Sequence, residues 1–201
     1  MRKVLASIAA AVAGISFKII QEGKIDRSRN YIVMANHSSI LDITAVLKAC
    51  PFPLSFMGKV ELLDNPVTGF FFKSVDIPVN RASKISSFRA LKQAEVFLRE
   101  GKNIVIFPEG GISDIYPPQL NAFKNGGFRL ASGLKVPIIP VIIENAWQLY
   151  WDDGKRYGSR PGTITIRILD PIMPSKDLED IDQLRHQVYN LFEKYLPKNQ
   201  P

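Results

Sequence analysis

Cysteine is almost absent from this chain: Cys50 stands alone. No internal disulfide can form, and a lone thiol suits a reducing compartment slightly better than an oxidising one. Histidine is nearly as scarce, with only His37 and His186. His186 falls in a helical pattern far along the chain, so the two do not make a metal site and no metal is expected. A Gly-x-Ser-x-Gly elbow is missing, which argues against a serine hydrolase. There is no basic-aromatic array, no zinc-ligand spacing and no basic recognition helix, so nucleic acid is not an expected partner. No repeat, low-complexity tract or long linker divides the chain.

What is present is an ordinary globular composition. The 201 residues are 46% hydrophobic and 22% charged, which fits one folded domain with a real core. The net charge is +7, and residues 1–30 hold Arg2, Lys3, Lys18, Lys24, Arg27 and Arg29 against only Glu22 and Asp26. Such a basic end suits an anionic lipid surface. Residues 4–17 are uncharged and mostly small and apolar. As a helix they would be about 21 Å long, short of the roughly 30 Å hydrocarbon core. The expectation is an N-terminal membrane-associated helix over 1–21, lying on or dipping into one leaflet, with Arg2, Lys3 and Lys18 reaching headgroups, followed by a single domain over 22–201. A cleaved signal peptide and a buried core helix are the competing readings of the same stretch.

Runs at 31–35, 54–57, 75–79, 103–107, 136–143 and 163–169 read as strands. Most are continuous rather than alternating, as in strands buried on both faces. Helical patterns fill 39–49, 83–100, 122–134 and 177–196. The second carries Phe88, Leu91, Ala94 and Leu98 as its inward stripe and stops at Gly101, and the third is weakened by Gly126 and Gly127. The prolines of 136–141 suit an edge or strand-end position. Alternating strands and helices predict an α/β fold with a mostly parallel central sheet flanked by helices. Ligands meet such sheets at the loops after strand C-terminal ends, where both His37 and Glu109 fall.

His37 is followed five residues later by Asp42. Five residues of continuous helix turn through about 500°, so the pair cannot share a helix face. They meet if His37 lies in a loop and Asp42 in the first turn of the next helix, and Ser38 and Ser39 are good caps for that helix. The carboxylate would then hold one ring nitrogen and leave the other as a base for a hydroxyl proton. A purely structural alternative makes Asp42 a helix-terminus carboxylate and His37 a packing residue.

Asn36-His37-x4-Asp42, followed by Phe107-Pro108-Glu109-Gly110, closely resembles the glycerolipid acyltransferase family that includes the bacterial 1-acyl-glycerol-3-phosphate acyltransferases. Asp76-Ile77-Pro78-Val79-Asn80-Arg81 and Val136-Pro137-Ile138-Ile139-Pro140-Val141 match two further blocks in the family's order. Gly58-Lys59-Val60-Glu61-Leu62 and the segment from Phe123-Lys124 to Ala131 give supporting matches, so the similarity spans roughly 31–143. After Gly110 the family has Thr or Ser and then Arg, whereas Gly111-Ile112-Ser113 stands here, one cation fewer.

The resemblance implies transfer of a fatty acyl group from acyl-CoA or acyl carrier protein to a lysophospholipid hydroxyl, with the thioester as co-substrate and no other cofactor. It implies a base at His37, an orienting carboxylate at Asp42, and acceptor contacts from Arg81, Glu109, Gly110, Lys59 and Lys124. Glu109 would bind the glycerol hydroxyl or position the phosphate-binding Arg and Lys. It also implies work at the cytoplasmic face of the inner membrane. Acylation of another lysolipid or a lyso-aminolipid, thioester hydrolysis, and lipid binding without catalysis are the alternatives.

Overall fold

Four apolar residues in a row, Ile32-Val33-Met34-Ala35, can all be withdrawn from water only in a strand covered on both faces, and all four are fully buried. The computed structural model describes residues 2–63, 73–80, 82–151, 157–174 and 181–196. Its elements run α1 (Arg2–Val12), β1 (Ile15–Gln21), β2 (Ile32–Ala35), α2 (Leu41–Ala49), β3 (Ser55–Lys59), a 3-10 turn (Val60–Leu63), β4 (Ile77–Val79), α3 (Lys84–Arg99), β5 (Ile104–Ile106), α4 (Gly126–Leu134), β6 (Ile138–Ile143), α5 (Ala146–Leu149), β7 (Gly162–Ile168) and α6 (Ile181–Tyr195).

The seven strands form one sheet in the order β1-β7-β6-β2-β5-β3-β4. Five run parallel, while β7 is antiparallel to β6 and β1 lies parallel to β7. Alternate residues of β2 feed opposite layers: Val33 and Ala35 join the core under α1 and α2, and Ile32 and Met34 join the core under α3, α4 and α6. The expected α/β architecture with a mostly parallel, helix-covered sheet is therefore the observed one. Gly127 brings α4 close to the sheet, since a Cβ there would lie 2.9 Å from Met34 Cε and 3.1 Å from Ile106 Cδ1.

Four expectations are corrected. The N-terminal helix does not reach residue 21: it ends at Val12, Gly14 turns the chain at φ 68°, and residues 15–21 become a sheet edge paired with β7. The domain accordingly begins well before residue 22. Arg2 and Lys3 do not point away from the fold. Arg2 pairs with the buried Asp76 carboxylate at 2.8 Å and lies over the Phe56 ring, and Lys3 donates to the Cys50 carbonyl.

Phe88 leaves the α3 stripe and is 62% exposed, because Ala90, Ala94 and Leu98 make the buried face. Finally, Pro140 sits inside an internal strand, not at an edge or a strand end. The pairing with the neighbouring segment shifts by one residue between Val141↔Ile168 and the Ile138↔Ile172 bridge. That bulge falls where Pro140 cannot donate, and its carbonyl still accepts from Leu169 N at 3.1 Å.

Asp76 also accepts from Phe56 N at 2.8 Å, so one oxygen ties α1, β3 and the start of β4 together. Removing its cation leaves a buried charge without compensation. Arg2→Ala is expected to lower stability by about 3 kcal/mol in urea unfolding, whereas Lys18→Ala on the exposed edge strand should change it by less than about 0.5 kcal/mol.

Candidate active site

The site begins where β2 ends. In a parallel sheet, strands separate past their last ladder pair, and here a side chain extends the ladder. Asn36 Nδ2 donates to the Ile143 carbonyl at 2.9 Å, and Ile143 N donates to Asn36 Oδ1 at 2.8 Å. The ends of β2 and β6 are thereby fixed, and with them the point at which His37 leaves the sheet.

Asp42 lies in the first turn of α2 and is fully buried. Its Oδ2 accepts from Ser38 N at 2.6 Å and Ser39 N at 2.8 Å, and it lies 3.1 Å from His37 Nδ1. Because a carboxylate accepts, the ring proton belongs on Nδ1, leaving Nε2 as the basic nitrogen. The expected serine cap is not formed: Ile40 occupies the N-cap without a side-chain bond, and Ser39 Oγ, one residue earlier, accepts from Leu41 N at 3.1 Å. The imidazole stacks on Phe107 with centroids 4.1 Å apart and 18° between planes, which restricts rotation.

Glu109, after β5, closes the other side. Its Oε1 accepts from His37 N at 2.7 Å and its Oε2 from Asn121 N at 2.9 Å. Among the described residues no Lys or Arg pairs with this carboxylate, and its described contacts clamp two loops. Burial pushes the Glu109 carboxyl up to about 7, with the charge of Asp42 adding to the rise and the two backbone donors opposing it. The backbone N–H groups of residues 37–39 are all occupied within the site, so they do not supply an oxyanion hole.

His37 and Glu109 line a cleft of about 490 Å³ together with Asn36, Trp147, Glu144 and Glu193 among others. Among the described lining residues there are three carboxylates and no Lys or Arg. Gly110 and Lys124 lie beside the Glu109 turn rather than in this lining. Gly110 has φ 79°, and a Cβ on it would fall 2.5 Å from Lys124 Nζ, so the lysine chain crosses the glycine. Lys59 is exposed at the C-terminal end of β3 and does not line the cleft. Arg81 lies outside the described residues.

The structure thus brings His37, Asp42 and Glu109 together and leaves the expected lysines outside the cleft lining. The Asn36 clamp, the Phe107 stack and Trp147 were not anticipated as parts of the site. Asn36 and Phe107 immediately precede His37 and Pro108, at the strand ends where such contacts arise. Among the described residues no group of metal-ligating side chains is assembled. The Cys50 thiol, at the far end of α2, is pushed up to about 12 by burial and is no nucleophile at neutral pH.

A carboxyl whose folded value exceeds its ordinary one favours the protonated fold. The stability it contributes is present below its ordinary 4.5 and is lost as pH rises towards about 7. That loss is on the order of 3 kcal/mol. Glu109→Gln, which does not titrate, should flatten the fall in unfolding free energy between these pH values. Gln carries one acceptor instead of two, so the variant should also be less stable at low pH. Urea titrations across the range check both.

The acyltransferase family model matches residues 16–144, well over half of the chain. An uncharacterized acyltransferase of Schizosaccharomyces pombe is 29% identical over 188 residues, covering 92% of this chain and 67% of its own. The 1-acyl-sn-glycerol-3-phosphate acyltransferase of Saccharomyces cerevisiae is 30% identical over 162 residues, covering 79% of this chain and 52% of its own. The chain therefore spans about half to two thirds of the length of these relatives. The crystal structure of the 1-acyl-sn-glycerophosphate acyltransferase PlsC from Thermotoga maritima superposes with a TM-score of 0.78 at 25% identity, covering 98% of this chain and 79% of that one. The matched model, which takes in β1 at one end and the clamp on Ile143 at the other, establishes that this chain belongs to the acyltransferase family.

Proposed function

We propose that the protein moves a fatty acyl group from a thioester, acyl-CoA or acyl carrier protein, to the free hydroxyl of a lysophospholipid, with 1-acyl-sn-glycerol-3-phosphate the foremost acceptor and phosphatidic acid the product. The observation that carries this reading is the imidazole of His37, held through Nδ1 by Asp42 and opening on a cleft at the sheet's C-terminal end. The acceptor hydroxyl gives its proton to Nε2 as its oxygen attacks the thioester carbonyl. The C–S bond then breaks, and the thiolate leaves as a thiol with the proton returned from the imidazolium. Asp42 supports the transient cation. No covalent enzyme intermediate and no cofactor beyond the thioester are needed. A Glu109 that is partly neutral near pH 7 reduces the repulsion an anionic acceptor meets in a carboxylate-lined cleft. Lys124, Lys59 and Arg81 are the cations proposed to meet the acceptor phosphate as it enters.

The reaction belongs at a membrane surface, proposed to be the cytoplasmic face of the cell membrane. Helix α1 is built inside out for water: Lys3, Ala6, Ser7 and Ala10 face the protein, while Val4, Leu5, Ile8 and Val12 face outward, Val12 being 85% exposed. Its 11 residues span only about 16 Å, and among the described residues no helix is long and apolar enough to cross a membrane. The outward face suits a helix lying in the headgroup boundary.

Supplied with acyl-thioester and 1-acyl-glycerol-3-phosphate, the protein should release thiol and form the diacyl product in equal amounts. Folded His37→Ala is expected to lose about 10²–10⁴-fold in rate; normal turnover in that variant overturns the scheme. Thiol release indifferent to lysolipid identifies a thioesterase, and lipid binding without thiol release a non-catalytic binder. Replacing Val4, Ile8 and Val12 with serine should reduce sedimentation with vesicles while sparing turnover of a water-soluble short-chain acceptor.

A further inference from the structure

A cluster of four aromatic side chains adjoins the cleft. The Tyr116 and Tyr157 rings stack at 3.8 Å, Tyr116 meets Trp147 and Trp151 edge-on at 5.5 and 5.2 Å, and Trp151 meets Tyr157 at 5.3 Å. They enclose a recess of about 210 Å³ with Arg160 on its wall, and Trp147 lines both this recess and the cleft. Rings that only filled a core would be withdrawn from water, yet Tyr116 is 39% and Tyr157 49% exposed, and the neighbouring Ile115 is exposed too. Trp151 is buried with its indole N–H unpartnered.

The cluster is tied to both the site and α1. Ser39, whose amide binds Asp42, donates its hydroxyl to the Tyr150 carbonyl. A Tyr150–Ser159 bridge and an Arg160 N to Leu149 carbonyl bond at 2.9 Å hold residues 157–160 against 149–151. Pro161 fits against Gly14, where a Cβ would come within 2.7 Å of it, directly after α1. The apolar face of α1 ends at Val12, two residues before this contact. Exposed Ile40, at the start of α2, stands at the same end.

We propose that Tyr116 and Tyr157, with Ile115 beside them, form a second bilayer contact, seating the cleft mouth at headgroup level while α1 holds the side of the domain. This rests on the reading of α1 as a bilayer-associated helix. Tyrosine and tryptophan suit the occupant, because an apolar ring with one polar tip partitions to the headgroup boundary. Arg160, exposed on the recess wall, matches an anionic headgroup.

The chain has two tryptophans, and both belong to this cluster, so indole emission reports on it alone. The probe is vesicles of phosphatidylcholine and phosphatidylglycerol, with and without bromine on the acyl chains near the headgroup. Wild-type protein is expected to sediment with them, shift its emission to shorter wavelength and be quenched by the brominated lipid. Tyr116→Ser combined with Tyr157→Ser should weaken vesicle binding about tenfold and remove most of the quenching, with turnover of a water-soluble short-chain acceptor kept. Ile115→Ser, on an exposed side chain, gives a weaker effect of the same sign should the double variant misfold. Sedimentation with unchanged, unquenched emission overturns this proposal and leaves the α1 contact standing, as does a cluster protected only by a protein partner. Failure of the wild type to sediment overturns both, whatever the thiol assay shows.

Discussion

One carboxylate oxygen organises the site. Asp42 Oδ2 gathers two consecutive backbone amides and one imidazole nitrogen, all within 3.1 Å. The amides settle the path of the chain between β2 and α2, and the imidazole contact turns that path into an oriented ring. Without the oxygen, the amides of Ser38 and Ser39 would lose their acceptor and the His37 ring would keep only the Phe107 stack. The same economy removes those amides from any role in steadying an oxyanion. The group that does so must come from outside the 37–39 segment or from water.

Glu109 complements this from the opposite strand. A carboxylate spanning His37 N and Asn121 N ties the end of the 111–121 loop to the backbone that carries the imidazole. Its burial makes the clamp sensitive to pH near neutrality, because desolvation opposes the ionised form while the two donors favour it. Glu144, also on the cleft wall, pairs with Arg167 at 3.0 Å.

Much of this was legible in one dimension because fully buried strands announce themselves as unbroken apolar runs. The segments that became β2, β5 and β6 read as such strands, and His37 and Glu109, just past the first two, were candidates for the site. Residues 15–21 were illegible because an edge strand with mixed exposure followed an apolar helix of similar composition, and its partner lies far along the chain. Phe88 misled because alanines do the packing on α3, and large side chains dominate a periodicity count. The lysines came from the resemblance alone, and spacing could not say whether they line the cleft, since side-chain direction depends on loops that spacing does not describe.

The register of the outer strands also dictates an order of assembly. Ile15 pairs with Gly162, and the whole of β1 rests on β7. During synthesis, therefore, β1 emerges without its partner and waits until residues 162–168 have been made. Over that interval α1, which precedes β1, is joined to an unfinished sheet by a single glycine turn. A helix that turns Val4, Leu5, Ile8 and Val12 outward is thus made, and stays tethered, before the sheet beneath it has closed.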